Sequence, residues 1–291
     1  MTITDLPPAA RRAAIAYAVL SVTNIVLSDA GVRVGDWITK PMLMPLLAVF
    51  TWYAAKAATG ASASATAFTS TSNSTSASTS NSASNSASAS ASASASVSAS
   101  ASAGSLAVSS GASGALSPAF LRSDLRLPLA GILLGGAGDT ALIGKGNWFL
   151  VGMGCFAAGH VCYLLTLRRR GALAAVGRPA LGGYAAAWVV LLALCWSGLG
   201  SLLVPVVAYS LLLVGMALAA SGLSRTAAIG GALFLISDAF IALDLAKVHL
   251  LPHQSTLVMP TYVAAQFLLA LAWSGVAPAR RSQNPVLNYA V

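Results

Sequence analysis

Two aspartates set inside long apolar runs are the residues that most need a chemical reason. Asp139 follows Gly138 in the run Leu127–Ile143, and Asp238 follows Ser237 in the run Ala227–Leu245. An Asp at the centre of a membrane span costs at least roughly 2.5–3.5 kcal/mol on insertion scales, so its presence there points to function. Neither run contains an Arg or Lys to pair with it. Two carboxyl groups in different environments can divide acid and base roles between them. Other polar groups recur at helical spacing. His160 and Tyr163 lie three apart, and Tyr262 and Gln266 four apart, so each pair shares a helix face. Lys40 stands before Pro41, where a further apolar run opens, and Pro suits the first turn of a helix. Most of these have a plainer reading. His160, Tyr163, Tyr262 and Gln266 can simply join helices by hydrogen bonds. Lys40 can anchor a helix at the interface. Asp244, near the end of its run, can be hydrated.

The elements that must position these groups are set by a shortage of charge. The chain has 291 residues, of which 57% are hydrophobic and only 8% charged, against about a quarter in a soluble domain. It contains no Glu; all seven acids are Asp. Such a chain cannot cover a soluble surface, so the expected fold is all-α, a polytopic membrane bundle. A span needs roughly 20 apolar residues. Eight runs qualify: Ala13–Leu27, Pro41–Ala58, Leu127–Ile143, Trp148–Leu167, Leu181–Trp196, Ser201–Ala220, Ala227–Leu245 and Thr256–Val276. Arg11 and Arg12 before the first run resemble the start of a signal peptide, but no small-x-small cleavage site follows, so that run reads as a span. Cys155, Cys162 and Cys195 fall inside apolar runs and read as packing residues.

Residues 59–117 are almost wholly Ser, Ala, Thr and Asn, with no apolar period. They read as a disordered insert between two spans of one domain. The domain plan is therefore two spans in residues 1–58, the insert 59–117, six further spans in 118–278, and a tail 279–291. The net charge of +9 does not imply nucleic acid, because the bases sit in short clusters between apolar runs. With the N-terminus in the cytoplasm, twelve of the sixteen Lys and Arg residues fall on the inside and four outside. That bias predicts both termini and the insert on the cytoplasmic side. Asp139, Asp238 and Tyr262 then lie at a similar depth, about 9–10 Å below the outer surface, with Lys40 at the mouth and His160 about 20 Å down.

These same residues carry a resemblance. Gly138-Asp139-Thr140-Ala141-Leu142-Ile143, then Phe149, Gly152, Phe156, His160 and Tyr163, is similar to the core pattern of the YhhN family. Gly231 to Asp238 followed by Ile241-Ala242-Leu243 resembles its second motif, Thr261 to Gln266 its last, and Lys40-Pro41 its early lysine motif. The chain departs from the pattern at Val263, where a second Tyr is frequent, at Asp244, where some members have Asn, and in the Ser/Ala insert. The resemblance implies an eight-span lysoplasmalogenase. Such an enzyme hydrolyses the vinyl ether of a lyso-ether phospholipid to a fatty aldehyde and glycerophosphoethanolamine or glycerophosphocholine. Asp139 and Asp238 would then be catalytic, with Lys40, His160, Tyr163, Ser237, Tyr262 and Gln266 lining or supporting the site. The implied partners are that substrate and membrane lipids, with no metal, cofactor or nucleic acid. Two other functions fit buried Asp and His residues: a proton-coupled transporter, although no inverted repeat is evident, and a lipid-binding membrane protein without catalysis.

Overall fold

The structure is a computed structural model that describes residues 6–77, 118–144 and 146–276. Every regular element among them is helical. Eight α-helices follow in order: α1 (Pro8–Asp29), α2 (Arg33–Ala77), α3 (Pro118–Leu142), α4 (Trp148–Arg169), α5 (Arg178–Cys195), α6 (Leu203–Leu223), α7 (Arg225–Leu245) and α8 (Val258–Trp273). Each of the eight expected spans lies on one of them. Seven are long and apolar enough to cross a membrane. The exception is α3, whose early turns carry Arg122, Asp124 and Arg126 and whose later turns carry four glycines and Asp139.

Three boundaries differ most from the sequence reading: α3 begins at Pro118, nine residues before the expected start at Leu127, and both ends of α2 move. The helix begins at Arg33, so Pro41 does not open it; Pro41 and Pro45 lie inside. Each proline removes an N–H and frees the carbonyl four residues back, a defect that membrane helices tolerate. Lys40 is therefore a helix-interior residue, one turn after Asp36. The helix also continues to Ala77, past the expected end at Ala58, so the first part of the Ser/Ala-rich stretch is helical. Extending a formed helix needs no new nucleus, and Ala61, Ala63, Ala65 and Ala67 are the best helix formers. The rest of that stretch, and the tail from residue 279, lie outside the described residues. The chain divides into one unit of residues 1–58 with 118–291 and a second of residues 59–117.

Within the first unit, α3 and α4 share the most extensive contact, through paired glycines. A Cβ on Gly138 would lie 2.8 Å from the Phe156 ring and 3.1 Å from the Gly152 carbonyl, and one on Gly152 would meet the Gly138 carbonyl at 3.1 Å. Two turns away along the same seam, a Cβ on Gly159 would lie 3.1 Å from the Gly131 carbonyl. Small residues let membrane helices pack closely, which matters because lipid supplies no hydrophobic force between them. This contact places Asp139, next to Gly138, at the centre of the bundle. Helix α1 closes on Gly31 at φ 72°, the left-handed conformation that lets the chain turn into α2. Ser224 caps α7 by accepting the Ala227 N–H at 3.1 Å.

The end of the unit away from Asp139 is held by one arginine. Arg170 pairs with Asp124 of α3 at 2.6 Å and donates to the carbonyls of Ala272 and Trp273 at the end of α8, at 3.2 and 3.1 Å. Its guanidinium also lies 5.8 Å from the centre of the Trp273 ring. One planar fork thus joins three helix ends and adds a side-chain donor to the last carbonyls of α8.

Candidate active site

The two unexplained carboxylates open on one cavity of about 280 Å³. Asp139 reaches it from α3 and is 6% exposed. Tyr262 of α8 donates its hydroxyl to Asp139 Oδ2 at 2.8 Å. Gln266, one turn further along α8, donates Nε2 to the Tyr262 oxygen at 3.3 Å, and its Oε1 accepts the Tyr163 hydroxyl from α4 at 3.1 Å. The four residues form a continuous bonded chain across three helices. Its direction is fixed at Asp139, which as a carboxylate can only accept. Gly135 leaves room for it: a Cβ there would lie 3.2 Å from Gln266 Nε2 and 3.5 Å from the Tyr262 oxygen.

Asp238 reaches the cavity from α7 and is only partly buried. Its Oδ2 accepts the hydroxyl of Tyr209, from α6. Tyr209 also lines the cavity. Nothing in the sequence reading singled it out. The available signal was a polar-tipped ring in an otherwise apolar run, since a buried Tyr hydroxyl needs a partner. Each carboxyl is therefore held through one oxygen by a tyrosine from a neighbouring helix, in the same manner on both sides.

The other expected residues separate into two groups. Lys40 and Ser237 line the cavity. The Lys40 ammonium lies 3.6 Å from Asp36, which also accepts from Asn24 Nδ2 at 3.2 Å, so it enters the site already charge-paired. Ser237 donates its hydroxyl to the Val258 carbonyl at 2.9 Å and so ties α7 to the start of α8. His160, Tyr163 and Gln266 do not line the cavity; they stand behind it. His160 is 1% exposed, with Nδ1 2.6 Å from the Phe156 carbonyl and its ring edge-on to Phe234 and Tyr209. Its Nε2 has no hydrogen-bond partner among the described residues. Asp244 is not merely hydrated: Gln254 donates to it and also to the Val248 carbonyl, which folds the α7–α8 connection onto itself.

The remaining wall is apolar. Phe149, Met153 and Phe156 come from α4, Val206 from α6, and Ile241 and Leu245 from α7. The cavity thus combines two tyrosine-held carboxyls and a cation with a greasy lining, which suits an amphiphile. Among the described residues no three His, Cys, Asp or Glu side chains gather as they would around a metal ion.

A match to the YhhN family covers residues 89–273, which include Asp139, Tyr209, Asp238 and Tyr262. The chain belongs to the YhhN family. Lys40 lies outside the matched residues. This YhhN-family chain is also 35% identical, over 147 residues, to Lysoplasmalogenase TMEM86B of Sus scrofa. That alignment covers 49% of this chain and 61% of the relative's length. No solved structure matches the chain.

Proposed function

We propose that this protein is a membrane-embedded hydrolase that cleaves the vinyl ether bond of lysoplasmalogens, releasing a fatty aldehyde and a glycerophospho-alcohol headgroup. The observation that carries the reading is the pair Asp139 and Asp238, brought from α3 and α7 to one amphiphile-sized cavity in a chain similar to a lysoplasmalogenase. The chemistry asks for little else. A vinyl ether breaks when its outer alkene carbon is protonated, which leaves an oxocarbenium ion. Water adds to that ion, and the hemiacetal collapses to aldehyde and alcohol. One carboxyl, protonated, delivers the proton; the other, ionised, stabilises the cation and takes a proton from the attacking water. Each keeps one oxygen free of the tyrosine that holds it, so each can face the reacting atoms. Preorganised charge in a site shielded from water is worth more than the same charge in bulk.

The rest of the site follows from the substrate's shape. Lys40 takes the lipid phosphate as a point charge at the mouth. The apolar wall from α4, α6 and α7 takes the first part of the alkenyl chain. His160, Tyr163 and Gln266 hold the geometry from behind. In the same reading both termini and the segment following α2 are cytoplasmic, which the twelve-to-four distribution of basic residues supports.

The deciding experiment is aldehyde release from defined lyso-alkenyl phospholipids by detergent-purified protein. Turnover in deuterated water should place solvent deuterium on the α-carbon of the aldehyde. Aldehyde without that deuterium would exclude protonation of the alkene, and no aldehyde from any lyso-alkenyl lipid would remove the hydrolase reading. A reporter fused at the C-terminus that is active only outside the cytoplasm would reject the orientation.

A further inference from the structure

We propose that Asn24 is a positioning residue that keeps the Lys40 ammonium available to an anionic group in the cavity. It acts through Asp36, by donating to the carboxylate oxygen that faces Lys40. This rests on the reading of Lys40 as the partner of a lipid phosphate.

The geometry begins in α1. Asn24 is fully buried, and its amide nitrogen reaches two residues of α2. Nδ2 donates to Asp36 Oδ1 at 3.2 Å and to Thr39 Oγ1 at 2.6 Å. Thr39 gives its own proton to the Gly35 carbonyl at 2.8 Å, so it can only accept from Asn24. These bonds fix which end of the amide points at α2. The reverse setting would aim Oδ1 at a carboxylate and at a hydroxyl whose proton is already given. Asp36 Oδ1 is also the atom that faces Lys40 Nζ, at 3.6 Å. One oxygen therefore serves both groups. A lysine that hydrogen-bonds a carboxylate comes to about 2.7–2.9 Å. At 3.6 Å Lys40 is attracted to Asp36 but not bonded to it, and its N–H donors remain for another anion. Lys40 lines the cavity that holds Asp139 and Asp238, so those donors can meet an anion there.

A plain stitch between α1 and α2 would satisfy Asn24 at both ends of its amide. Instead its Oδ1 is buried without a hydrogen-bond partner among the described residues. A buried acceptor without a partner is unfavourable, so the two bonds of the nitrogen decide the orientation. Without Asn24, Asp36 Oδ1 would lose its neutral donor and close on Lys40, one turn along the same helix. A phosphate would then have to displace a carboxylate from the ammonium. The Asp36 and Lys40 side chains are each 19% exposed, so the effect is that of a partly screened pair.

The test measures binding of two saturated 1-alkyl lipids to the full chain in detergent. One carries a glycerophosphate headgroup; the other is the 1-alkylglycerol without phosphate. Neither has an alkene to protonate, so the result does not depend on turnover. The measured quantity is the preference for the phosphate lipid, taken as the ratio of the two Kd values. Asn24→Ala should weaken the phosphate lipid by about fivefold and leave the alkylglycerol unchanged. In an Asp36→Asn background the competing carboxylate is gone, and Asn24→Ala should not change the preference further. Asp36→Asn alone, an isosteric change in a half-buried side chain, keeps the proposal testable if Asn24→Ala does not fold. It should tighten the phosphate lipid, and no tightening overturns the competition through which Asn24 acts. Loss of both lipids by the same factor in Asn24→Ala marks a structural residue and overturns the proposal, as does an unchanged preference. In that last case Lys40→Gln separates the two readings. A lowered preference there leaves Lys40 as the phosphate partner and removes only the role of Asn24; an unchanged preference removes both.

Discussion

Replacing Tyr209 by Phe removes one hydroxyl and leaves the ring. The ring keeps its packing, including the edge contact with His160 at 5.7 Å between centroids. What is lost is the hydrogen bond that Tyr209 donates to Asp238. A hydrogen bond to a charged group is worth about 1.5–3 kcal/mol. If that bond fixes Asp238 in its working position, its loss appears in the transition state. At about 1.36 kcal/mol per tenfold, Tyr209→Phe should lower kcat/KM by roughly ten- to 150-fold. The assay is aldehyde release, coupled to an aldehyde dehydrogenase and followed through its reduced cofactor, in Tyr209→Phe, Asp238→Asn and the double variant. Because Tyr209 acts through Asp238, the effects should not add: the double variant should be little slower than Asp238→Asn alone. A purely structural tyrosine would instead lower folded yield and slow both backgrounds by the same factor. Tyr209→Phe within twofold of wild type, or additive losses in the double variant, would refute the coupling.

Asp139→Asn and Asp238→Asn should each cut turnover by about a hundredfold or more while preserving folded yield, as judged by size-exclusion profile and aldehyde release. Full activity in both would remove the two carboxyls from the mechanism. Arg170→Ala leaves Asp124 buried without its cation and removes the side-chain donor from two carbonyls of α8, so thermal unfolding in detergent should show a loss of roughly 3–5 kcal/mol. KM of the folded fraction should be unchanged, because Asp139 is 15 residues along α3 from Asp124, about 22 Å away. Gly138→Leu forces a side chain into the Phe156 ring and the Gly152 backbone, so it should both lower the unfolding temperature and impair activity through the displaced Asp139. Removing residues 78–117 and joining the ends with a short flexible linker should retain aldehyde release, since loop-closure entropy changes only slowly with length. Loss of activity with a folded bundle would assign that segment a role.

The sequence alone determined the helical membrane class of the protein and singled out the two carboxyls that the structure brings to one cavity. Helix placement follows from length and apolarity, which are local properties, so a helix could be located at each of the eight apolar runs before any packing was known. Asp139 and Asp238 were legible for a related reason: a carboxylate in an apolar run has a large desolvation cost that nothing nearby in the chain offsets. Helix ends were less legible. At α2 the sequence contains both a proline that commonly opens helices and a polar stretch that commonly ends them. Cooperative extension of a packed helix overrode both, carrying it from Arg33 to Ala77. Only the tertiary structure decided which polar groups meet. Tyr262 and Gln266 share a helix face by spacing, but their bonds to Asp139 and Tyr163 span 123 and 103 residues. Tyr209 had only a weak local mark, its polar tip, because one tyrosine in an apolar helix looks like a packing residue until α6 and α7 are placed side by side. Lys40 looked like an interfacial anchor because Pro41 was expected to open the helix; α2 instead begins at Arg33, which puts Asp36 one turn before Lys40 on the same helix. Local chemistry fixes what each segment becomes and which groups it cannot leave unpaired; the tyrosine that holds each cavity carboxyl lies on another helix, and only packing brings the two together.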